Sequence, residues 1–182
     1  MSSDAAESPS EVKLSDGRVV VVRALAEQDG PALTDFGTAL RADDWRYLDL
    51  DLQNPATAQR LVTAHAATNW RQIVAVVEDR VVGYANVRLL PGWKSHVGDI
   101  HLVVDESVRG RGLGLILAEA TVGAGKELGV AKLMLEMITE QAAGRKIFER
   151  LGFRAEGTLV RHARDDLGVE HDLLLLGLLL AE

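Results

Sequence analysis

The period of the apolar positions changes along the chain, and the changes mark out the elements. Val12 to Arg23 (VKLSDGRVVVVR) sets an Asp-Gly turn signal between two apolar stretches, the second β-branched, which predicts a short hairpin or a strand after a turn. Asp29, with Pro31 following, predicts a capped helix to about Leu40, and Asn54 with Pro55 repeats the signal for a helix to about Ala67. Two β-rich segments follow, RQIVAVVED and RVVGYANVRLL, joined tightly at Asp79 and Arg80 as an antiparallel pair. A third, VGDIHLVVD, comes after the loop PGWKSH. Over Gly112 to Leu128 the period shifts to about 3.6, with Leu113, Ile116, Leu117, Ala120 and Ala124 on one face. VAKLMLEMI then reads as a strand, QAAGRKIFERLG as a helix stopped by Gly152, and the remainder as two strands around Asp166-Leu167-Gly168. The predicted order is βααβββαβαββ. Hairpins mixed with strand-helix crossovers imply an α/β fold around a sheet of mixed strand directions.

Length and composition narrow this to one domain over residues 11–182, preceded by a frayed tail over 1–10: the chain has 182 residues, 47% apolar and 26% charged, without a Pro/Gly/Ser-rich linker after residue 10. The absence of cysteine removes disulfides, thiolate metal sites and cysteine nucleophiles, and suits a reducing, cytoplasmic compartment. No metal site is expected. A net charge of −7 is the wrong sign for a protein that neutralises nucleic-acid phosphates. The most apolar run, LLLLGLLL at Leu173 to Leu180, falls far short of the roughly 20 residues that span a bilayer as a helix, and reads as a buried strand.

The sharpest chemical feature is Arg109-Gly110-Arg111-Gly112-Leu113-Gly114, placed after a strand and opening a helix. Glycines let the backbone approach a ligand closely, and the unpaired N–H groups of the helix's first turn point outward with the positive end of its dipole. Arg109 and Arg111 add formal charge, so a phosphate or diphosphate is the natural guest. The plainer reading is a glycine-rich turn with two solvated arginines. A Walker loop is excluded, because Gly125-Lys126 is followed by Glu127 and Ala120 stands where its first glycine belongs. A GxGxxG dinucleotide fingerprint fails at Leu115 and at Leu117.

The run LVVDESVRGRGLG at Leu102 to Gly114, the apolar helix after it, and a later helix ending in ERLGF at Glu149 to Phe153 together resemble the GNAT superfamily of acetyl-CoA-dependent N-acetyltransferases. The resemblance spans most of the chain and implies a mixed, mostly antiparallel sheet of about six or seven strands flanked by about four helices. It implies that the amides of Arg109 to Gly114 hold the diphosphate of acetyl-CoA, and that Leu102, Val103 and Val104 pair their backbone with the pantetheine arm. The thioester would then lie between that strand and Val130 to Ile138. It also points to Asp99 as the strand carboxylate that collects the amine proton, through a water because its side chain is short. The alternative for Asp99 is a loop end or an arginine partner. His101 is a rival base and Glu136 a third candidate; alternation sets Asp99, His101, Val103 and Asp105 on one side of their strand. The family pattern Asn-x-x-Ala-x-x-x-Tyr-x-x-x-Gly-Phe maps Gln141, Gly144 and Phe148 onto its first three positions, so Gln141 can bond the pantetheine, but the phenol that commonly protonates the departing thiolate is missing.

In that family the segment around the first two helices walls the acceptor site, here RADDWRYLDLDL at Arg41 to Leu52. Asp43, Asp44, Trp45 and Tyr47 would attract a cationic amine and stack on it; a solvated acidic loop with core-packed aromatics is the bland alternative. Trp93 would flank the thioester end, and Tyr84 reads as core. The expected activity is direct acetyl transfer to a primary amine of a small molecule or protein. A non-catalytic acyl-CoA-binding module is the rival, and a homodimer through the C-terminal strand is expected.

Overall fold

The computed structural model describes residues 9–41, 44, 50–165 and 167–180. Its sheet has eight strands, more than the sequence suggested, because the N-terminal segment forms a true hairpin. β1 (Ser10–Lys13) pairs antiparallel with β2 (Val19–Ala24), Ser10 opposite Val22 and Lys13 opposite Val19, around Gly17 at φ +91°. Ser10, counted with the tail by composition, is thus the first residue of the sheet, while residues 1–8 of that tail lie outside the described residues.

The remaining elements follow the predicted order. They are α1 (Gly30–Ala39), α2 (Pro55–Thr63), β3 (Trp70–Val77), β4 (Arg80–Leu89) and β5 (Val97–Val104). After these come α3 (Leu113–Glu127), β6 (Lys132–Ile138), α4 (Ala142–Arg150), β7 (Arg154–Arg164) and β8 (Glu170–Leu179). Asn54 caps α2 as its sequence implied, its side chain accepting from the Ala56 amide at 2.9 Å. α2 stops at Thr63, short of Ala67, because the Ala64 amide bonds carbonyls at Arg60 and Leu61 and the next residues turn. Glu78 and Asp79, both at positive φ, make the tight β3–β4 connection.

Strands are ordered β1-β2-β3-β4-β5-β6-β8-β7, and every neighbouring pair is antiparallel except β5–β6. Each sheet face buries its own core. Leu113, Leu117 and Ala118 of α3 and Phe148 of α4 pack on Val104, Leu133, Leu135 and Leu176. On the other face Leu33 and Phe36 of α1 and Leu61 and Val62 of α2 cover Val74, Tyr84 and Val103. Tyr84 is core, as its mid-strand position suggested: its hydroxyl donates to Gln72 Oε1 at 2.8 Å, and burial drives its ionisation far above the usual phenol range. Among the described residues no helix is long and apolar enough to cross a membrane.

The feature that positions the site is a fork. The parallel ladder between β5 and β6 has three rungs, Val97–Lys132, Gly98–Leu133 and Asp99–Met134. Past Asp99, β5 stays with β4 as far as Val104, and past Met134, β6 stays with β8 as far as Ile138. Each strand follows its antiparallel partner, and the two diverge.

Candidate active site

A cleft of about 560 Å³ fills the fork. Its walls are β5 from Ile100 to Val104, β6 from Leu135 to Met137, the turn into α3, and the face of α4 carrying Gln141, Ala143, Gly144, Lys146, Ile147 and Arg150. The Asp105 amide donates to Val82 O at 2.9 Å on the β4 side. By the alternation of an antiparallel ladder, the N–H and C=O groups of Ile100, Leu102 and Val104 therefore point the other way, into the gap. Arg109 Nε takes the Val104 carbonyl at 2.9 Å, which leaves the amide and carbonyl of Leu102 for a guest.

At the outer end, Gly110 (φ +68°) and Gly112 (φ +98°) bend the chain into α3, and a Cβ at either would meet no atom within 4 Å. The amides of Gly110, Arg111, Gly112, Leu113 and Gly114 make no hydrogen bond to any described residue. Five free donors at the positive end of a 15-residue helix form an anion cradle. Gly114 sits close to α4: a Cβ there would stand 3.1 Å from Ile147 Cδ1, and that side chain would have to give by a few tenths of an ångström.

Both arginines of the turn are exposed, and each is paired with a carboxylate. Arg109 Nη2 lies 2.6 Å from Asp44 Oδ1, and Arg111 Nη1 lies 3.2 Å from Asp16 Oδ2, where hydrogen bonds from Arg18 already hold the Asp16 carboxyl below its usual range. Asp44, expected at the acceptor wall, is buried, and its other oxygen accepts from the Arg41 amide at 3.1 Å. The Asp44–Arg109 pair ties the α1–α2 connection to the end of β5. Asp43, Trp45 and Tyr47 lie outside the described residues. Trp93 stands out in the β4–β5 loop, 91% exposed and absent from the cleft lining.

Titratable groups gather at the crotch of the fork, on the face opposite α3 and α4. Asp99 is on the last shared rung; His101 and Glu136, each two residues further along, take the first same-face positions on the diverging arms. His101 Nε2 is 4.0 Å from Asp99 Oδ2 and both side chains are about one-quarter exposed. Asp105 is committed elsewhere, accepting from the Ser107 amide and hydroxyl as a turn cap. On α4, Phe148 is buried with its ring edge-on to Phe153 at 5.2 Å, and no donor stands at that position. Gln141 Nε2 is buried without a partner, a polar atom left for a ligand.

A family model described as the acetyltransferase (GNAT) family matches residues 36–153. The chain belongs to this family. A search of curated proteins finds no match. Among solved structures, a GNAT acetyltransferase from Streptococcus pneumoniae superposes with a TM-score of 0.78 at 21% identity, covering 88% of this chain and 99% of that one. The Salmonella typhimurium protein yncA, with its cofactor acetyl-CoA, gives 0.78 at 17% identity over 90% and 95%. A ribosomal-protein-alanine N-acetyltransferase from Brucella melitensis gives 0.71 at 27% identity over 87% and 99%. GNAT proteins use acetyl-CoA as cosubstrate, and the residues present fit it: five unpaired amides for a diphosphate, a free strand edge and the Gln141 amide for pantetheine, and a cleft between them.

Sequence reasoning passed over the outer wall of the cleft, where Lys146, Ile147 and Arg150 line it with Leu115. The signal was present as a 146, 147, 150 spacing on one face of an amphipathic helix, but which face meets the turn is a tertiary fact. The pairing of both turn arginines was equally out of reach, since Asp16 and Asp44 are far from them in sequence.

Proposed function

We propose that this GNAT protein transfers the acetyl group of acetyl-CoA directly to a primary amine, with Asp99 as the base that collects the amine proton through a water. The reading rests above all on Asp99 closing the last rung of a ladder whose divergence opens a cleft running to five unpaired amides. The amides of Gly110 to Gly114 hold the diphosphate; Leu102 and Gln141 bond the pantetheine amides and orient the arm along β5. Acetyl-CoA supplies an activated acetyl carbon that bonds the amine nitrogen as its C–S bond breaks. An amine is protonated at neutral pH and attacks only when neutral, so the Asp99 side of the fork must take a proton before the new bond forms. His101, beside Asp99, steadies the carboxylate or relays that proton. With no cysteine in the chain, transfer runs through a ternary complex, without a thiol acyl-enzyme. The same composition suits a reducing, cytoplasmic setting.

One observation favours a second reading, a module that binds acyl-CoA without transfer: Phe148 offers no proton to a departing thiolate. A thiolate is a better leaving group than an alkoxide, so this loss slows transfer without forbidding it. Thiol release from acetyl-CoA, measured over a panel of amines, separates the two. The panel includes polyamines, amino acids and a peptide beginning with alanine, the last because the Brucella melitensis neighbour is a ribosomal-protein-alanine N-acetyltransferase. Release with at least one amine is expected; tight acetyl-CoA binding without release for any of them favours the module. With an active amine, Asp99→Asn is expected to lower kcat/KM about 10²-fold or more near neutral pH and to approach the parent at high pH, where the free amine no longer needs a base. Equal turnover at neutral pH removes Asp99 from the mechanism, and His101→Gln run in parallel shows whether the imidazole takes its place.

A further inference from the structure

The cleft carries two cations that the reading above leaves without a task. Lys146 and Arg150 line it from α4, one helical turn apart, both exposed. Neither makes an ion pair or hydrogen bond with a described residue, whereas their neighbour Arg145 pairs with Glu149 at 2.7 Å. Arg109, the other permanently charged lining cation, is held by Asp44 and the Val104 carbonyl. In a chain of net charge −7, two unneutralised side chains on one wall of one cleft are a local reversal of sign, and among the described residues the only carboxylate lining that cleft, Glu136, belongs to the fork.

We propose that Lys146 and Arg150 form a phosphomonoester subsite that receives the 3′-phosphate of the acyl carrier's ribose and so distinguishes coenzyme A from 3′-dephospho-coenzyme A. This rests on the reading of the cleft as the acetyl-CoA site. Gly114 and Ile147 bring α3 and α4 together at the anion cradle, where the missing Cβ would lie 3.1 Å from Ile147 Cδ1. Lys146 is the next residue to that contact and Arg150 follows one turn on, about 6 Å along the helix. Both therefore stand beside a diphosphate seated on the amides of Gly110 to Gly114. The diphosphate is met by fixed N–H dipoles, which suit a group whose position the turn dictates. A phosphomonoester carries nearly two charges at neutral pH on a mobile ribose, and long flexible cations can follow it.

The test is calorimetric titration of the full chain with coenzyme A and with 3′-dephospho-coenzyme A, on the parent and on the Lys146→Gln/Arg150→Gln double variant. The parent is expected to bind coenzyme A about tenfold more tightly than the dephospho form, the scale of two partly exposed charge contacts. In the double variant that ratio falls to about one, chiefly through weaker binding of coenzyme A. Equal affinity of the parent for both ligands overturns the subsite while leaving the cleft assignment intact. So does a double variant that weakens both ligands by the same factor, which would move the two cations onto the diphosphate. If the parent binds neither ligand, the acetyl-CoA reading of the cleft fails and this subsite with it.

Discussion

At the scale of single residues, backbone freedom and burial decide what the site can do. Gly112 combines φ +98° with open space where a side chain would stand, so the backbone conformation and not packing calls for glycine there. Gly112→Val places a β-branched residue in a conformation that costs an L residue about 1–2 kcal/mol, and it crowds the amides besides. The expected outcome is a rise of about tenfold or more in the Kd for coenzyme A, with a small loss of Tm; unchanged affinity by calorimetry would sink the anion-cradle assignment. Gln141 gives the complementary case: its buried Nε2 has no partner among the described residues, and a ligand in the cleft can complete it.

At the scale of elements, α1 packs hard against the segment that leads into α2. A Cβ on Gly37 would come within 1.8 Å of the Leu52 carbonyl oxygen, a backbone atom that cannot rotate aside. α1 therefore touches the end of the α1–α2 connection directly, and the Asp44–Arg109 pair fastens that connection to the glycine turn before α3. Gly37→Ala is expected to cost about 2 kcal/mol, some 4–8 °C in Tm for a chain of this size. A thermal melt matching the parent would mean that the connection shifts freely. The hairpin of β7 and β8 is held by a different device. His171 of β8 sits between Asp165 of the β7–β8 turn (Nε2–Oδ2 3.2 Å) and Glu140 of the β6–α4 loop (Nδ1–Oε1 3.4 Å). The hydrogen bond to Asp165 first, then that to Glu140, raises the His171 pKa above its ordinary 6.5. The same bond from His171 lowers Asp165, while Glu140 is lowered by its own amide and then by His171.

At the scale of the whole molecule, that three-way contact joins the outer edge of the sheet to the loop carrying Gln141, and its sign with pH follows from the shifts. The imidazolium's contribution is complete below its ordinary value of 6.5 and is lost as pH rises through the raised one. The carboxylates' contribution is present above about pH 4 and is lost on acidification. Amide exchange across β7 and β8, corrected for the intrinsic rate, is therefore expected to be slower near pH 6 than near pH 9. His171→Gln should erase the difference, and equal protection of the parent at both pH values would show that the contact does not hold the edge.

Much of this architecture was written in local pattern. The 3.6-residue period of Leu113, Leu117 and Ala124, the cap at Asn54 and the turn glycines at 17, 152 and 168 specify their own elements, because helix faces, caps and positive φ are satisfied within a few residues. The glycine turn into α3 was legible for the same reason: its glycines and its unpaired amides are neighbours in sequence. The sequence pattern left the first strands as a hairpin or a lone strand, since either suits an Asp-Gly turn, and only pairing with β3 at Val21 and Val22 fixes the sheet's edge. The fork, the pairing of the turn arginines and the free cations of α4 were decided by the tertiary structure alone. Each depends on groups that meet across the fold: β6 following β8 away from β5, Asp16 and Asp44 reaching the turn, and Ile147 seating against Gly114. A chain encodes the period of an element in its own residues, but which charge finds a partner and which remains free for a ligand is set by the packing that brings distant segments together.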